Sequence, residues 1–443
     1  MIKRDTSVIP FGVQDRLYKQ ATMARIPQKK TRWQRVRKRV NDIHLWLGLT
    51  SGLIVIAVCF SGTVYVFNTE FTEWSAPHLY KAEVVTGKER IPADSLLDKV
   101  AQVSGGKVVS VIVPDDPERT YQFNVKKEGD NSRGGIGYMV DPYSGEIKGT
   151  NKEKNGTKEF MSTMFSLHRW LLLDKIEEPI VKGMTNRELG SAITGWATII
   201  FTLGCISGLI IWFPQKLKAW KQGLKIKWSA GWKRLNHDLH NTLAFYALFF
   251  LLLMGLTGPQ WSFDWYRTGL QKTLGTYKGK DAPKEKPVKS KIPDTEFAIN
   301  TLSIDAFINE ANKELDYPGT YTINLPADSN ATVTVSKTKS GFFAPAAADR
   351  LTLDQYSGKV LKKDIFKEKP FNERIAGSIK AIHVGNVYGT FTKLIYFFAC
   401  LIATSLPITG TMIWLNKLKK KRRRAGKTFR EEKACEAALE ETV

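Results

Sequence analysis

The sequence predicts an α-helical membrane protein whose four spans form two copies of one hairpin, with two small α+β modules outside the membrane. Three observations carry this expectation. Four runs, residues 44–67, 192–213, 241–263 and 393–415, are apolar over the roughly 20 helical residues that cross a bilayer core. Two of them, HLWLGLTSGLIVIAVCFSGTVYVF (44–67) and HNTLAFYALFFLLLMGLTGPQWSF (240–263), begin on His and carry a Ser/Thr-Gly pair whose glycine lies 18 positions later. The net charge of +23 is concentrated in three segments that flank the runs on one common side.

Taken in order, residues 1–42 hold twelve Lys/Arg against three acids and read as a basic cytoplasmic leader, because inward-facing segments are the ones enriched in Lys and Arg. The first span, 43–67, follows that long leader without a small-residue cleavage site, so it reads as a retained anchor. Residues 68–160 form the first outer module: IPADSLLDKVAQVSG suggests a short helix, and VVSVIVPDDPERTYQFNVKKEG and GYMVDPYSGEIKG suggest half-buried strands. A segment containing His168 (161–191) leads into the second span, 192–213, which has no charge. The connection 214–239 is again basic, and span three covers 240–263.

Residues 264–375 repeat the first module. LSIDAFINEANKELD is the helix, and YTINLPADSNATVTVSKTKSG and DRLTLDQYSGKVLKKD the strands, ending on Tyr-Ser-Gly as before. The Lys/Pro-rich stretch 278–294 reads as a flexible linker. Each module is small for an independent domain and is expected to lean on its twin or on the membrane. His383 and span four occupy 376–415, and 416–443 is a basic tail. The repeat is imperfect, since His168 lies 40 residues before Gly208 and His383 only 27 before Gly410.

The basicity is therefore a topology signal, and nucleic-acid binding is not expected. Cys59, Cys205 and Cys400 fall within spans and Cys435 in the tail, which leaves no disulfide framework and no C-x-x-C-H attachment site.

Four histidines then stand near the membrane faces. Parallel repeats are related by an axis along the membrane normal, which sets His44 opposite His240 and His168 opposite His383. Imidazole is a good axial ligand for haem iron, and a pair completes a six-coordinate centre suited to electron transfer. Two b-type haems, one per leaflet, are the expected cofactors. Zinc or copper fits less well, as no cluster of Cys, Asp or Glu at metal-site spacing accompanies the histidines. An interfacial His is as often a polar cap facing head groups, but a cap need not recur at equivalent positions of a repeat. His237, three residues before His240 and on the same side of a helix, is an alternative inner ligand, although position 41 in the first repeat is Asn. Arg169 could hold a haem propionate or simply be exposed, and His78 reads as a surface residue. The Ser-Gly and Thr-Gly sites at 61–62, 207–208, 257–258 and 409–410 suggest close helix packing first, and room for a macrocycle second. Trp46, Trp74, Trp170, Trp212, Trp261, Trp265 and Trp414 suit an interfacial belt.

Several motifs together resemble the PepSY-associated transmembrane helix family: HLWLGLTSG (44–52), LHRWL (167–171), DLHNTLAFY (238–246), LTG (256–258), IHVGNVYG (382–389) and ITGTMIW (408–414). The resemblance covers nearly all of residues 35–416 and is similar to that of iron-regulated inner-membrane proteins and ferric-siderophore reductases. It implies PepSY-like periplasmic modules, bound haem, and ligand roles for His44, His168, His240 and His383. The LNHDLHN stretch departs from a single-histidine motif. The expected function is an oxidoreductase of the bacterial inner membrane that passes electrons to a ferric siderophore in the periplasm. The electron donor must be separate, a cytoplasmic carrier or a membrane quinol, because no G-x-G-x-x-G fingerprint is present. The competing expectation is a PepSY-type membrane sensor or peptidase regulator without redox activity.

Overall fold

The computed structural model describes residues 31–440 except 133, 214–219, 280–282, 284, 285 and 294–300, with backbone only at 431, 432 and 435–440. Most of the basic leader, part of the 214–239 connection and part of the 278–294 linker lie outside the described residues.

The chain begins with a long helix, α1 (Arg32–Tyr65), opened by a capping box in which Thr31 and Gln34 satisfy each other's backbone N–H groups. It continues through α2 (Asn68–Trp74) into the first outer segment, α3 (Ala93–Ser104), β1 (Lys107–Val113), β2 (Tyr121–Lys126), β3 (Ile136–Val140) and β4 (Ile147–Thr150). Helix α4 (Gly156–Trp170) carries His168 at its last turn, and α5 (Asn186–Trp212) starts from a second capping box, Thr185 with Glu188. The third long helix, α6 (Trp232–Trp261), has a π turn at Leu239–Leu243 and ends in a 3-10 turn at Gly258–Trp261. After α7 (Asp264–Thr273) come α8 (Ile304–Glu314), β5 (Gly319–Asn324), β6 (Val333–Lys339), β7 (Ala348–Leu353) and β8 (Val360–Asp364). Helix α9 (Phe371–Val384) carries His383, and α10 (Gly389–Glu440) closes the chain, with Pro407 inside it.

Four helices, α1, α5, α6 and α10, are long and apolar enough to cross a membrane. All four begin before the apolar stretches expected from the sequence, α1 as early as Arg32, and α10 also continues into the basic tail. Helices α1 and α6 each pack on α5 and α10, so α1 and α6 face each other diagonally. The polarity of this bundle is inverted relative to a water-soluble one. Ser51, Ser61, Thr63, Thr194, Thr202, Ser207 and Thr257 are buried inside it, whereas Leu53, Phe249, Phe398 and Leu401 stand outward. Small hydroxyl residues satisfy themselves on the preceding turn, as Ser61 does on Ala57 and Thr202 on Thr198, so burying them is cheap. An apolar outer surface fits lipid as the surrounding solvent.

The eight strands form one antiparallel sheet, ordered β4-β3-β2-β1-β5-β6-β7-β8. Each outer module was expected to lean on its twin or on the membrane; the two go further and join in one sheet through β1 and β5, with Val111 opposite Ile323 and Val113 opposite Tyr321. Strands β4 and β8, folded into the preceding strands by the sequence expectation, are separate edges. Leu96 and Val100 of α3 and Phe307 and Ala311 of α8 share one core with Phe123, Val140, Ile323, Val335 and Leu351. Asp94 of the first half caps Ile304 N in the second at 2.8 Å. The expectation of a flexible linker fails at its end: Ser290 Oγ donates to Ala331 O and accepts from Gln355 N, and Lys291 N donates to Asp354.

Candidate functional site

An 18-residue separation is five turns of an α-helix, so His44 and Gly62 share one face of α1 about 27 Å apart. The same count relates His240 to Gly258 on α6. Because α1 and α6 are diagonal, both faces open on the bundle interior. His44 and His240 meet there, their ring centroids 6.4 Å apart and their planes at 80°. At the sheet end, His168 from α4 and His383 from α9 enter between the spans and meet likewise, at 6.2 Å and 60°.

Each imidazole lies against one of the four glycines. A Cβ at Gly208 would come within 3.2 Å of His44, at Gly410 within 3.2 Å of His240, at Gly62 within 3.2 Å of His168, and at Gly258 within 3.3 Å of His383. The Ser/Thr-Gly motifs therefore clear space for imidazole rings, and the helix-packing expectation does not describe these four positions. Close packing occurs elsewhere, as at Gly52 against Pro407.

The residue preceding the glycine helps aim the ring. Nδ1 of His44 lies 3.0 Å from Ser207 Oγ, that of His240 2.9 Å from Thr409 Oγ1, and that of His383 3.0 Å from Thr257 Oγ1. The backbone carbonyl four residues before the glycine meets the ring directly at His44 (Gly204) and His168 (Val58), whereas at His240 and His383 the threonine hydroxyl that touches the ring donates to that carbonyl, Leu406 and Met254 respectively. For His168 the Nδ1···O distance is 2.9 Å, and Ser61 Oγ donates to the same Val58 carbonyl rather than touching the ring. A carbonyl oxygen can only accept, so the imidazole nitrogen facing it carries the proton. At His44 and His168 this is Nδ1, which fixes the neutral tautomer and leaves Nε2 with its lone pair. These acceptors belong to the backbone, so no residue type announces them; the glycine spacing was the available signal.

The inner pair borders a cavity of about 230 Å³, lined among others by Asn41, Gly48, Gly204, Phe245, Trp414 and Lys417. A Cβ at Gly48 or Gly204 would meet no protein atom within 4 Å, so glycines also widen this space. The π turn of α6 contains His240 and resets its direction relative to the helix below; such turns recur where a side chain must be re-aimed. His237 precedes that turn. It lines the cavity, but its ring is held by Asn241 and lies 3.6 Å from Asp238, and it is His240 that faces His44. Asp238 is buried and paired with Arg234 at 2.8 Å.

Around the outer pair, the Trp261 ring lies 4.9 Å from His383, and Arg169 donates to the Trp261 carbonyl at 2.9 Å. Arg169 is thus engaged with backbone beside the pair. His78 is exposed and bonded to Glu153, as a surface residue would be. Trp74 and Trp265 stand outward while Trp212 stacks on Phe245 at 3.9 Å. Between the two histidine pairs the core is apolar and rich in sulfur, with Cys59, Cys205 and Met254 beside Ala247, Leu251, Ala399 and Ala403, and Cys400 Sγ 3.4 Å from Met254 Sδ.

Among the described residues no group of three or more His, Cys, Asp and Glu is placed to hold a metal ion. The donor sets present are pairs of neutral imidazoles, and a pair can hold one metal centre from two sides. The sequence profile of the PepSY-associated TM region matches residues 42–417, a stretch that contains all four spans, both histidine pairs and the whole sheet. The chain belongs to this family. No curated protein matches it. Membership in the PepSY-associated TM family agrees with four membrane helices, and it leaves the chemistry to be argued from the histidines themselves.

Proposed function

We propose that this protein carries two haem b groups and passes electrons across the inner membrane to a ferric siderophore on the sheet side. The geometry of the imidazole pairs supports the reading most directly. Two imidazoles that held one metal ion from opposite sides through Nε2 would have ring centres on the order of 6 Å apart, given metal–nitrogen bonds of about 2.0 Å. The observed separations are 6.4 and 6.2 Å. Residues also fit the macrocycle's needs: glycines at 48 and 204 widen the inner cavity, and aromatic Phe245 and Trp414 line it. His44 with His240, and His168 with His383, would hold the two groups; His237 and Lys417 border the inner one and Arg169 the outer. Bound haem supplies a one-electron couple at each pair. The protein's own part would be to orient each ring through its carbonyl or hydroxyl partner, to offer one imidazole from either side of each site, and to keep water out with the apolar middle of the bundle.

We read the two hairpins, and the two helix-plus-four-strand halves of the sheet, as copies of one unit, the halves being PepSY-like. The basic segments near the His44 end support a reading in which that end faces the cytoplasm and the sheet the periplasm. The electron donor is then a cytoplasmic carrier or a membrane quinol, and one electron reaching Fe(III) weakens its bonds to hard oxygen ligands.

The test is an absorption spectrum of the purified protein before and after dithionite. A reducible low-spin signal equivalent to two haems per chain is expected. A colourless protein after expression with ample haem would sink the proposal and favour a sensor or peptidase regulator built on the sheet.

A further inference from the structure

The turns that join the second and third strands of each sheet half differ sharply in chemistry. In the first half the β2–β3 turn reads Lys127-Glu-Gly-Asp-Asn-Ser-Arg-Gly-Gly135, with four charged residues. In the second half the β6–β7 turn reads Ser340-Gly-Phe-Phe-Ala-Pro-Ala-Ala347, with none. A charge-free turn carrying two adjacent, half-exposed phenylalanines is costly in water, because apolar ring surface is left unburied.

This turn is fastened to the start of a membrane span. Phe391 N of α10 donates to Phe342 O, Ala346 N donates to Val387 O, and Pro345 bridges Tyr388. Gly389 adopts φ +56°, and a Cβ there would crowd the carbonyls of Gly341, Phe342 and Ala344, so the junction requires glycine. The rings of Phe342, Phe343 and Phe391 form one cluster, with centroids 4.9–6.4 Å apart, yet Phe343 remains 63% exposed and Tyr388 54%. Lys393 of the same span pairs with Glu70 of α2, beside which Phe71 and Trp74 are also exposed.

We propose that the β6–β7 turn dips into the outer lipid interface, with Phe342 and Phe343 at the boundary between head groups and acyl chains. The occupant of this surface is the bilayer itself, because the aromatic patch is continuous with the first turn of a lipid-facing helix. One half of the sheet is thereby tethered to the membrane above the outer histidine pair.

The test places a nitroxide, carried on p-acetylphenylalanine, at position 343 and in a second sample at position 128. Both proteins are reconstituted in phosphatidylethanolamine/phosphatidylglycerol vesicles, and collision with oxygen is compared with collision with an aqueous nickel chelate. Position 343 should favour oxygen several-fold and position 128 the nickel chelate several-fold. A third sample, labelled at Ala344 in a Phe342→Ser, Phe343→Ser background, should lose the oxygen preference that the same label shows with both rings present. The proposal fails if positions 343 and 128 behave alike, or if 343 is shielded from both reagents, as contact with another protein would produce. It stands or falls independently of haem, because the readout needs no redox activity.

Discussion

Three kinds of neighbour set the histidines of the two pairs: a glycine that leaves room at every ring, a hydroxyl before it at His44, His240 and His383, and a carbonyl one turn earlier that His44 and His168 meet directly. The glycine is the most sensitive of the three. In Gly208→Ala the new methyl would lie 3.2 Å from His44 Cε1, and in Gly62→Ala it would lie 3.2 Å from His168. Crowding of this kind costs about 1–3 kcal/mol, released here most easily by displacing the ring. Gly208→Ala should therefore weaken the low-spin signal of the inner site and Gly62→Ala that of the outer, while Gly377→Ala, which meets nothing within 4 Å, should leave the spectrum unchanged. Replacing His44 or His240 with Ala should lower haem content from two per chain to one, as should replacing His168 or His383, and the double variant His44→Ala/His168→Ala should hold none. Pyridine haemochrome assay against protein concentration reads all of these. Retention of two haems in the single variants would overturn the ligand assignment. His237→Ala is expected to keep both, since its ring is turned to Asn241 and Asp238.

Among the elements, the Asp-x-Tyr-Ser-Gly turns before β4 and β8 are built alike. Asp141 accepts from Tyr143 N and Ser144 N and reaches back to Glu83 N; Asp354 accepts from Tyr356 N and Ser357 N and reaches Lys291 N. Burial opposes the charge of both, but these N–H donors outweigh it and hold each carboxyl below its ordinary value. A folded-state pKa below the unfolded one contributes stability that is present above the ordinary carboxylate value and is lost as pH falls through the folded one. The sheet should accordingly loosen below about pH 4, where unfolded Asp residues begin to take up protons. Asp305 works in the opposite sense, its carboxyl raised by burial and by Asp94, so it offsets part of the loss. Melting followed by the tyrosine circular dichroism of the sheet between pH 3 and 6 should show a slope that shrinks in Asp141→Asn and Asp354→Asn. A slope unchanged in both would contradict this account.

For the whole molecule, the pairing of β1 with β5 decides how the outer portion behaves. One core runs across the junction, so the two halves should open together. Phe123, fully buried in the first half, is part of the same cluster as Val335 and Leu351 in the second. Phe123→Ala should cost about 3–5 kcal/mol, as truncation of a buried Phe usually does. Hydrogen exchange should then speed up in β6 and β7 as well as in β2. Acceleration confined to β1–β4 would mean that the halves are separate units. The bundle has a comparable division of labour, with hydroxyls and glycines turned inward and large apolar side chains outward, which suits a lipid surround.

The sequence alone determined the four spans, a helix followed by strands in each outer segment, and His44, His168, His240 and His383 as the residues to watch, with His237 beside them. These are properties of local composition and period, and local pattern carries them. Only the tertiary structure decided that the outer segments share a single sheet, because strand partners across some 200 residues leave no mark on either strand. The same limit hid the purpose of the Ser/Thr-Gly pairs. A glycine looks the same whether it admits a neighbouring helix or a ring from another helix, and only the diagonal placement of α1 and α6 brings His44 beside Gly208 and His240 beside Gly410.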